Sequence, residues 1–387
     1  MKKQPAIVDN PTNKRLTLSQ RMRIAIRRST KKKRGYIIPL FVSLVLLTAM
    51  LLIGLSPSRH GVYGEEAAPN HGMQLSFVGD VMLGRYVEGY AGEYGYDHFF
   101  DGVSPLWANS DHVFANLECA VLVNDEENYV KDEKNIHLPA TPEAVLAMQR
   151  SGIDTITYAN NHSRDFGKQA FIDATAFFDS IGLNYSGTTL RYDERGEHIV
   201  TCEIETGDKT VGFIGVNNVI YEGLGSGSGM LTGGNAGLFG YVNWSLNHCD
   251  LTVVYVHWGK EYNSSPTDEQ RELARKLIDA GADIVIGSHP HCLQPVEKYS
   301  HGIIFYSLGN FIMDQNNTFT RDSVLVQYNE TEDGSRFFEL IPLRIVDGRP
   351  EVTDNRFYTS RIRTVLTKYL DDSDYYMEGG HIIINFL

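Results

Sequence analysis

The sequence predicts an α/β protein, and three observations indicate this class. Five segments run from β-branched apolar residues into a polar residue, which is typical of buried strands ending at a site: MQLSFVGD, HVFANLE, DTITYAN, LTVVYVH and ADIVIGSH. Three helical stretches each end at a glycine before the next strand, at Gly152, Gly182 and Gly281. A chain of 387 residues with 42% hydrophobic residues is long enough to bury one large core or two small ones.

Local signals define the helices. Thr141 followed by Pro142 is an N-cap with proline in the first turn, and Gly152 stops that helix. Residues 168–182 place Phe171, Ala174 and Phe178 on one face. Thr267 and Gln270 form a capping box at the start of a third helix.

The C-terminal segments follow another pattern. GIIFYSLGNF, SVLVQYN and FFELIPLRIV read as strands without helices between them, so we expect a second, mostly antiparallel sheet packed on the first. We assign residues 73–345 to the main domain and residues 346–387 to a C-terminal extension. The glycine-rich stretch Gly223–Gly240 lacks the G-K-[ST] of a P-loop and is expected to be a surface loop near the site.

The N-terminus differs in charge from the rest of the chain. Residues 1–35 contain twelve Lys or Arg and one acid, a net charge of +11; the whole chain is −13, so the remainder carries −24. The uncharged segment 36–55 is long enough to span a bilayer as a helix. The basic residues before it predict a single-pass anchor with a cytoplasmic tail, a linker at 56–72 and an extracytoplasmic domain. A cleaved signal peptide is the alternative, although no clear cleavage site follows.

Composition excludes several classes. Four cysteines in a chain of 387 residues argue against a disulfide scaffold. None of them forms a C-x-x-C pair, which argues against a zinc ribbon or a thioredoxin-type motif. The net charge of −13 argues against general nucleic-acid binding.

Polar residues follow each of the five strands, where ligands of open α/β sheets bind. They supply two carboxylates, one amide and four imidazoles: Asp80, Glu118, Asn161, His162, His257, His289 and His291. Imidazole with carboxylate suits zinc, iron or manganese. Each residue alone is more often a turn or a hydrogen-bonded histidine; the recurrence at five strand ends predicts the site. The S-H-P-H spacing is expected to hold two imidazoles two residues apart in extended backbone.

These motifs carry a family resemblance. GDVMLGR, ANLE, ANNHSRDFG, VHWGKEY, GADIVIGSHPH and FYSLGNF occur in the order found in the CapA family of poly-γ-glutamate (capsule) synthesis proteins, the PgsA type of Gram-positive bacteria, from about residue 75 to about residue 328. That family is similar in fold to calcineurin-like metallophosphoesterases. The resemblance therefore implies a four-layer α-β-β-α sandwich with one or two divalent metal ions.

The resemblance also implies roles for single residues. Asp80 and His291 match ligands of a first metal, and His257 and His289 match ligands of a second. Glu118 stands where a carboxylate bridges both metals. In the same motifs, Asn161 matches an amide ligand, and His162 the histidine that contacts substrate or protonates the leaving group.

Two departures from the phosphoesterase pattern qualify this resemblance. The usual Asp-x-His is here Asp80-Val81-Met82, which removes one imidazole, and the bridging residue is Glu118 where an Asp is usual. We therefore leave open whether the chain turns over a substrate.

Other polar residues have two interpretations each. Arg85 could bind an anionic substrate or form a surface ion pair, and Asp165 could orient His162 or cap a helix. Asn310 could bond within the site or form a turn. Lys260 and Glu261 could line the pocket or form a solvated turn. The buried thiols Cys119 and Cys292 are expected to point away from the site: each directly follows a proposed ligand, and neighbouring strand residues face opposite ways.

The resemblance implies a membrane component of poly-γ-glutamate synthesis and export, with the other synthase subunits as partners. The alternatives are an active cell-surface metallophosphoesterase acting on a phosphoester and a metal-bound binding module without turnover. The polymer is an anion, so a domain of charge −24 needs bound metal or Arg85 to offset the repulsion.

Overall fold

The computed structural model describes residues 18–19, 21–23, 41–48, 71–191, 200–219 and 229–386. The chain divides into two compact units, Met1–Pro57 and Ser58–Leu387. In the first unit the described residues are helical, including 41–48. The rest of the predicted anchor, most of the linker and part of the glycine-rich loop lie outside the described residues. Across the described part of the chain, no helix combines the length and the apolar character needed to cross a membrane.

The second unit alternates helices with strands. Its α-helices are α1 (Arg85–Tyr94), α2 (Pro142–Arg150), α3 (Gly167–Ile181), α4 (Leu238–His248), α5 (Asp268–Asp279) and α6 (Arg356–Leu366). Short 3₁₀ turns occupy Asp97–Phe99, Ser104–Trp107, Glu126–Asn128 and Thr367–Tyr369.

The strands in its first half are β1 (His71–Val81), β2 (His112–Leu117), β3 (Ala120–Val121), β4 (Pro139–Ala140), β5 (Thr155–Thr157), β6 (Asn184–Ser186), β7 (Cys202–Thr206), β8 (Lys209–Asn217) and β9 (Leu251–His257). Those in its second half are β10 (Ile284–Ser288), β11 (Val296–Tyr299), β12 (Gly302–Phe305), β13 (Asn310–Ile312), β14 (Asp322–Thr331), β15 (Arg336–Val346), β16 (Arg349–Val352), β17 (Tyr375–Glu378) and β18 (His381–Phe386).

Two large sheets organise these strands. The first has the order β17-β18-β15-β14-β1-β2-β5-β6, with β13 paired to β1 and β16 to β15. The second has the order β11-β12-β10-β9-β8-β7. Its four central strands are parallel, and β7 and β11 run antiparallel at its edges. A third sheet pairs only β3 and β4.

Three hydrophobic cores define the layers. One lies between the first sheet and helices α1 to α3, and includes Val145 and Phe171. The second lies between the two sheets, where Phe77 packs with Phe114 and Phe213. The third lies between the second sheet and helices α4 and α5, and includes Leu277. The predicted α/β class is confirmed, and the order of layers is helix, sheet, sheet, helix.

The predicted helix ends are confirmed. The Thr141 hydroxyl accepts a hydrogen bond from the Ala144 N–H, and α2 begins at Pro142. Thr267 and Gln270 form the reciprocal capping box at the start of α5. Gly182 ends α3 in the left-handed conformation, which glycine adopts without steric cost.

The predicted arrangement of the later strands is wrong. They do not form a separate antiparallel sheet: β14 pairs antiparallel with β1, in the register Leu75↔Tyr328, and β15 and β18 continue the first sheet. The second sheet is instead mainly parallel and takes one later strand, β12. Apolar patterning shows that a strand is buried but does not name its neighbour, because both sheets bury both faces.

Candidate metal centre

The site lies where the carboxyl ends of parallel strands from both sheets converge. β1 and β2 bring Asp80 and Glu118 from the first sheet, and β9 brings His257 from the second. The turn after β10 adds His289 and His291. All five are buried. The sequence pattern predicts these residues at the strand ends of one sheet edge. In the structure they come from strand ends of both sheets.

Asp80 is held by backbone and side-chain contacts on both sides. β1 carries it in parallel register opposite Asn116 of β2 and Asn310 of β13. The Asn116 amide donates to Asp80 Oδ1 at 2.8 Å, and the His289 N–H donates to Oδ2 at 3.2 Å. Asp80 Oδ2 also lies 3.4 Å from His291 Nδ1. These contacts fix the carboxylate and connect the two sheets.

Glu118 is a buried carboxylate without a hydrogen-bond donor. Its side chain is fully buried, and neither oxygen accepts a hydrogen bond from a described residue. His257 Nε2 and His291 Nε2 lie 3.6 and 3.7 Å from Oε1. Leaving buried polar atoms unpaired is costly and calls for a ligand or ion.

His257 and Asn161 lie side by side. His257 Nε2 is 2.6 Å from Asn161 Oδ1, and the other ring nitrogen contacts the Ser288 hydroxyl at 3.0 Å. The contact to Ser288 orients the ring, as partners of metal-binding histidines commonly do. The imidazole and the amide therefore present adjacent ligand atoms.

His289 and His291 reach the site through an irregular turn. Both have positive φ, 92° and 55°, a region that non-glycine residues rarely occupy and that costs about 1–3 kcal/mol each. The expected extended backbone is therefore wrong. The ring centroids lie 5.9 Å apart. His289 Nδ1 is buried without a hydrogen-bond partner among the described residues. The strained turn therefore places an imidazole nitrogen in the site that is available to bind a ligand.

Burial and charge divide the imidazoles into two kinds. Burial lowers the pKa of His257 well below its usual value and that of His289 to about 3, so both are neutral and able to bind a metal. Burial also opposes the charged form of His291, but Glu118 and Asp80 outweigh it and raise its pKa to about 10. Burial raises the pKa of Glu118 well above its usual value. The His291 proton occupies a place where a cation is electrostatically favoured.

The same residues form two overlapping groups of ligand atoms. One consists of Asp80, Glu118 and His291, and the other of Glu118, His257 and His289. Within each group the ligand atoms lie within 4.8 Å of one another. Carboxylate and imidazole donors suit divalent transition metals, and the unpaired atoms of Glu118 and His289 are what a bound ion would satisfy. The residues present therefore fit one or two divalent ions.

His162 lies beside this cluster and is not in either group. Its Nδ1 donates to Asp165 Oδ2 at 2.9 Å, and Asp165 also pairs with Lys134 and accepts from the Leu138 N–H at 2.6 Å. Burial lowers the pKa of His162, although Asp165 opposes the shift. Because Nδ1 is committed to Asp165, Nε2 is the nitrogen that can exchange a proton with a substrate. Asp165 is not a helix cap, since α3 begins at Gly167 after Phe166.

Other predicted residues lie around the cluster in different ways. Arg85 forms a bidentate ion pair with Asp314, at 2.6 and 3.0 Å, so its charge is already paired. Asn310 lies in strand β13, not in a turn, and its Oδ1 accepts from His291 Nδ1 at 2.9 Å.

Met82 is fully buried in the core beneath helices α1 to α3. The thiols Cys119 and Cys292 are buried and free, as expected.

Sequence reasoning missed the polar groups that support the ligands. Asn116 contacts both Asp80 and His257, and Asn160 donates to Asn116 Oδ1 at 3.1 Å. Asn116 had a usable signal, since it precedes Glu118 by two residues at a strand end. Lys134 had no such sequence signal, because it contacts Asp165 and the Asn161 carbonyl from a loop with an ordinary content of charged residues.

The fold and this cluster define the class: a mixed α/β protein whose two sheets bring together carboxylates and imidazoles that fit a divalent metal. The family model described as "Bacterial capsule synthesis protein PGA_cap" matches residues 74–235 and 242–315. The chain belongs to this family of bacterial capsule synthesis proteins.

Two relatives are similar over most of the chain. "Capsule biosynthesis protein CapA" of Bacillus anthracis is 35% identical, covering 92% of this chain and 87% of that protein. "PGA biosynthesis protein CapA" of Bacillus subtilis (strain 168) is 32% identical, covering 94% of each. The recognition of a CapA-type protein from sequence motifs is therefore confirmed.

Solved structures with low sequence identity also match. A 5'-nucleotidase from Candida albicans is 10% identical with a TM-score of 0.40, covering 78% of this chain and 60% of that one. A hypothetical protein from Thermus thermophilus is 16% identical with a TM-score of 0.39, covering 72% of this chain and 96% of that one.

Proposed function

We propose that this chain is a membrane-anchored component of the machinery that synthesises and exports a poly-γ-glutamate capsule, with a divalent metal site in an extracytoplasmic domain. The observation that carries the metal site is Glu118, a fully buried carboxylate that accepts no hydrogen bond from the described residues and that both ligand groups share. Family membership and the names of the two Bacillus relatives support the capsule assignment. The basic tail and the apolar segment 36–55 support the anchor.

Charge explains why a metal would matter for this task. The chain beyond residue 35 carries −24, which repels a polyanion. Arg85 is paired with Asp314 and offers little free charge. Divalent ions at the cluster would supply the positive charge that a carboxylate-rich polymer needs at the site. The remaining synthase subunits would be the membrane partners.

The site residues have two proposed roles: most would bind metal, and His162 would transfer a proton. Asp80, Glu118 and His291 would hold one ion; Glu118, His257, His289 and Asn161 would hold a second. Bound ions of this kind polarise substrate oxygens and offset negative charge. His162 can give or take a proton at Nε2, while Asp165 fixes its ring and Lys134 holds Asp165.

An active metallophosphoesterase is the second candidate. The two ligand groups and the His162–Asp165 pair favour it, and the side chain at Met82 disfavours it because it supplies no imidazole. Assay of the full-length protein with phosphoesters and Mn²⁺ discriminates the two. We expect weak turnover or none, and rates of about 1–10³ per second would establish the enzyme. Bound metal without any turnover would exclude the phosphoesterase and would agree with both the capsule component and a binding module.

Replacing His162 with alanine should leave metal bound and impair function. The imidazole contacts Asp165 and lies outside both ligand groups, so metal content per chain should equal that of the unmodified protein. Capsule polymer should fall sharply in cells that rely on the variant, because His162 is the side chain assigned to substrate and not to metal. Elemental analysis and polymer staining measure the two effects. The control is His248→Ala, on the exposed surface of α4; metal loss in the His162 variant would refute the assignment.

Protease accessibility tests the proposed membrane topology. Protease added to intact protoplasts should digest the domain from residue 73 onward and spare a tag placed in residues 1–35. The reason is the excess of basic residues before segment 36–55, which retains that side in the cytoplasm. Detection of both fragments by antibodies gives the result. Digestion of the tag with protection of the domain would show the opposite orientation.

A further inference from the structure

The loop after β9 is pinned against the histidine turn. Gly259 has φ of 84°, and a Cβ there would lie 2.5 Å from the Gln270 side chain. Tyr262 also has positive φ, 62°, and its N–H donates to the Pro290 carbonyl at 2.8 Å. Pro290 separates His289 from His291, so this bond holds the loop against the turn that carries the two imidazoles.

Glu261 is the residue that this loop presents to the site. One of its carboxylate oxygens and a ring nitrogen from each of His289 and His291 all lie within 4.8 Å of one another. Glu261 is exposed, whereas both histidines are buried and His289 Nδ1 has no hydrogen-bond partner among the described residues. Glu118 contacts the same two histidines as the buried member of the cluster. The imidazoles therefore have one buried carboxylate and one exposed carboxylate as neighbours.

We propose that Glu261 is a third carboxylate of the metal site, which binds the ion at the Asp80–Glu118–His291 position and is displaced when an anionic ligand binds. This inference rests on the proposed metal site. Among the described residues this position has three other protein ligands, which leaves one place open around a four-coordinate ion for Glu261 or for an anion. An exposed side chain on a surface loop can leave the ion without disturbing the core, unlike Glu118.

Because Glu261 is negatively charged, removing its charge should have opposite effects on metal binding and on anion binding. Asp80 and Glu118 supply two negative charges against the four positive charges of two divalent ions, and Glu261 adds a third negative charge. Its removal weakens the hold on the ion but leaves a more positive site for an anion. A residue that only supported the loop would weaken metal and anion binding together.

The test compares Glu261→Gln with the unmodified full-length protein. Mn²⁺ binding is measured by calorimetry, and inorganic phosphate binding is measured at Mn²⁺ concentrations that saturate each protein. We expect the weaker Mn²⁺ dissociation constant to rise at least tenfold, as losses of supporting groups already do. Phosphate should bind about fivefold more tightly, because one like charge near the ion is gone. Glu203→Gln, an exposed glutamate on β7, is the matched control and should change neither.

Each other result overturns the inference in an identifiable way. Unchanged Mn²⁺ affinity in Glu261→Gln excludes Glu261 as a ligand while the proposed metal site stands. Weaker Mn²⁺ binding with unchanged or weaker phosphate binding excludes displacement by an anion. An unmodified protein that binds no Mn²⁺ removes the proposed metal site and this inference together.

Discussion

Replacing Glu118 with alanine is expected to empty both metal positions at once. Its carboxylate is common to the Asp80–His291 group and the His257–His289 group, so no single other substitution removes a ligand from each. Mn²⁺ at one hundred times its dissociation constant should raise the free energy of unfolding of the unmodified protein by about 2.7 kcal/mol for each ion bound. For Glu118→Ala the same addition should give no change. Urea unfolding with and without Mn²⁺ measures the difference.

Two controls separate loss of the bridge from general damage. His257→Ala removes a ligand from one group only, so it should retain one ion per chain and part of the stabilisation. Glu203→Ala removes an exposed glutamate from β7 and should behave as the unmodified protein. Stabilisation of Glu118→Ala by Mn²⁺ to the full extent would show that the carboxylate does not bridge.

The sequence predicted elements that depend on local chemistry. The caps at Thr141 and Thr267 and the stop at Gly182 each involve residues within a few positions of one another, and the structure has all three. Pairing of distant strands is different. β1 pairs with β14 across about 250 residues, and no local signal distinguishes that neighbour from one in the second sheet.

The candidate site was predictable to the extent that strand ends mark it. Asp80, Glu118 and His257 lie, as expected, at or directly after the ends of buried strands. The backbone conformation at His289 and His291 could not be predicted, because positive φ at a non-glycine residue has no sequence signature. Lys134 was missed because its contact with Asp165 depends on how a loop packs on the sheet.

Replacing Gly79 with alanine should strongly destabilise the domain and displace Asp80 in the site. A Cβ at this position would lie 2.0 Å from the Gly309 carbonyl oxygen and 2.9 Å from its carbon, both backbone atoms that no rotamer change can move. Relief requires β1 and β13 to separate, which breaks the 3.0 Å hydrogen bond from the Asp80 N–H to that same oxygen. Ordinary overpacking costs about 1–3 kcal/mol, and we expect more than about 3 kcal/mol here. Urea unfolding of the metal-free protein gives the value.

Gly89→Ala is the control, and its effect should have the opposite sign. Gly89 lies within helix α1, is exposed and has no atom within 4 Å of an added Cβ. Alanine in a helix interior is favoured over glycine by about 0.5–1 kcal/mol, so stability should rise slightly. If Gly79→Ala were as stable as Gly89→Ala, the close approach of β1 to the Gly309 carbonyl would be wrong. Because Asp80 is the next residue along β1, its placement in one group with Glu118 and His291 would then need revision as well.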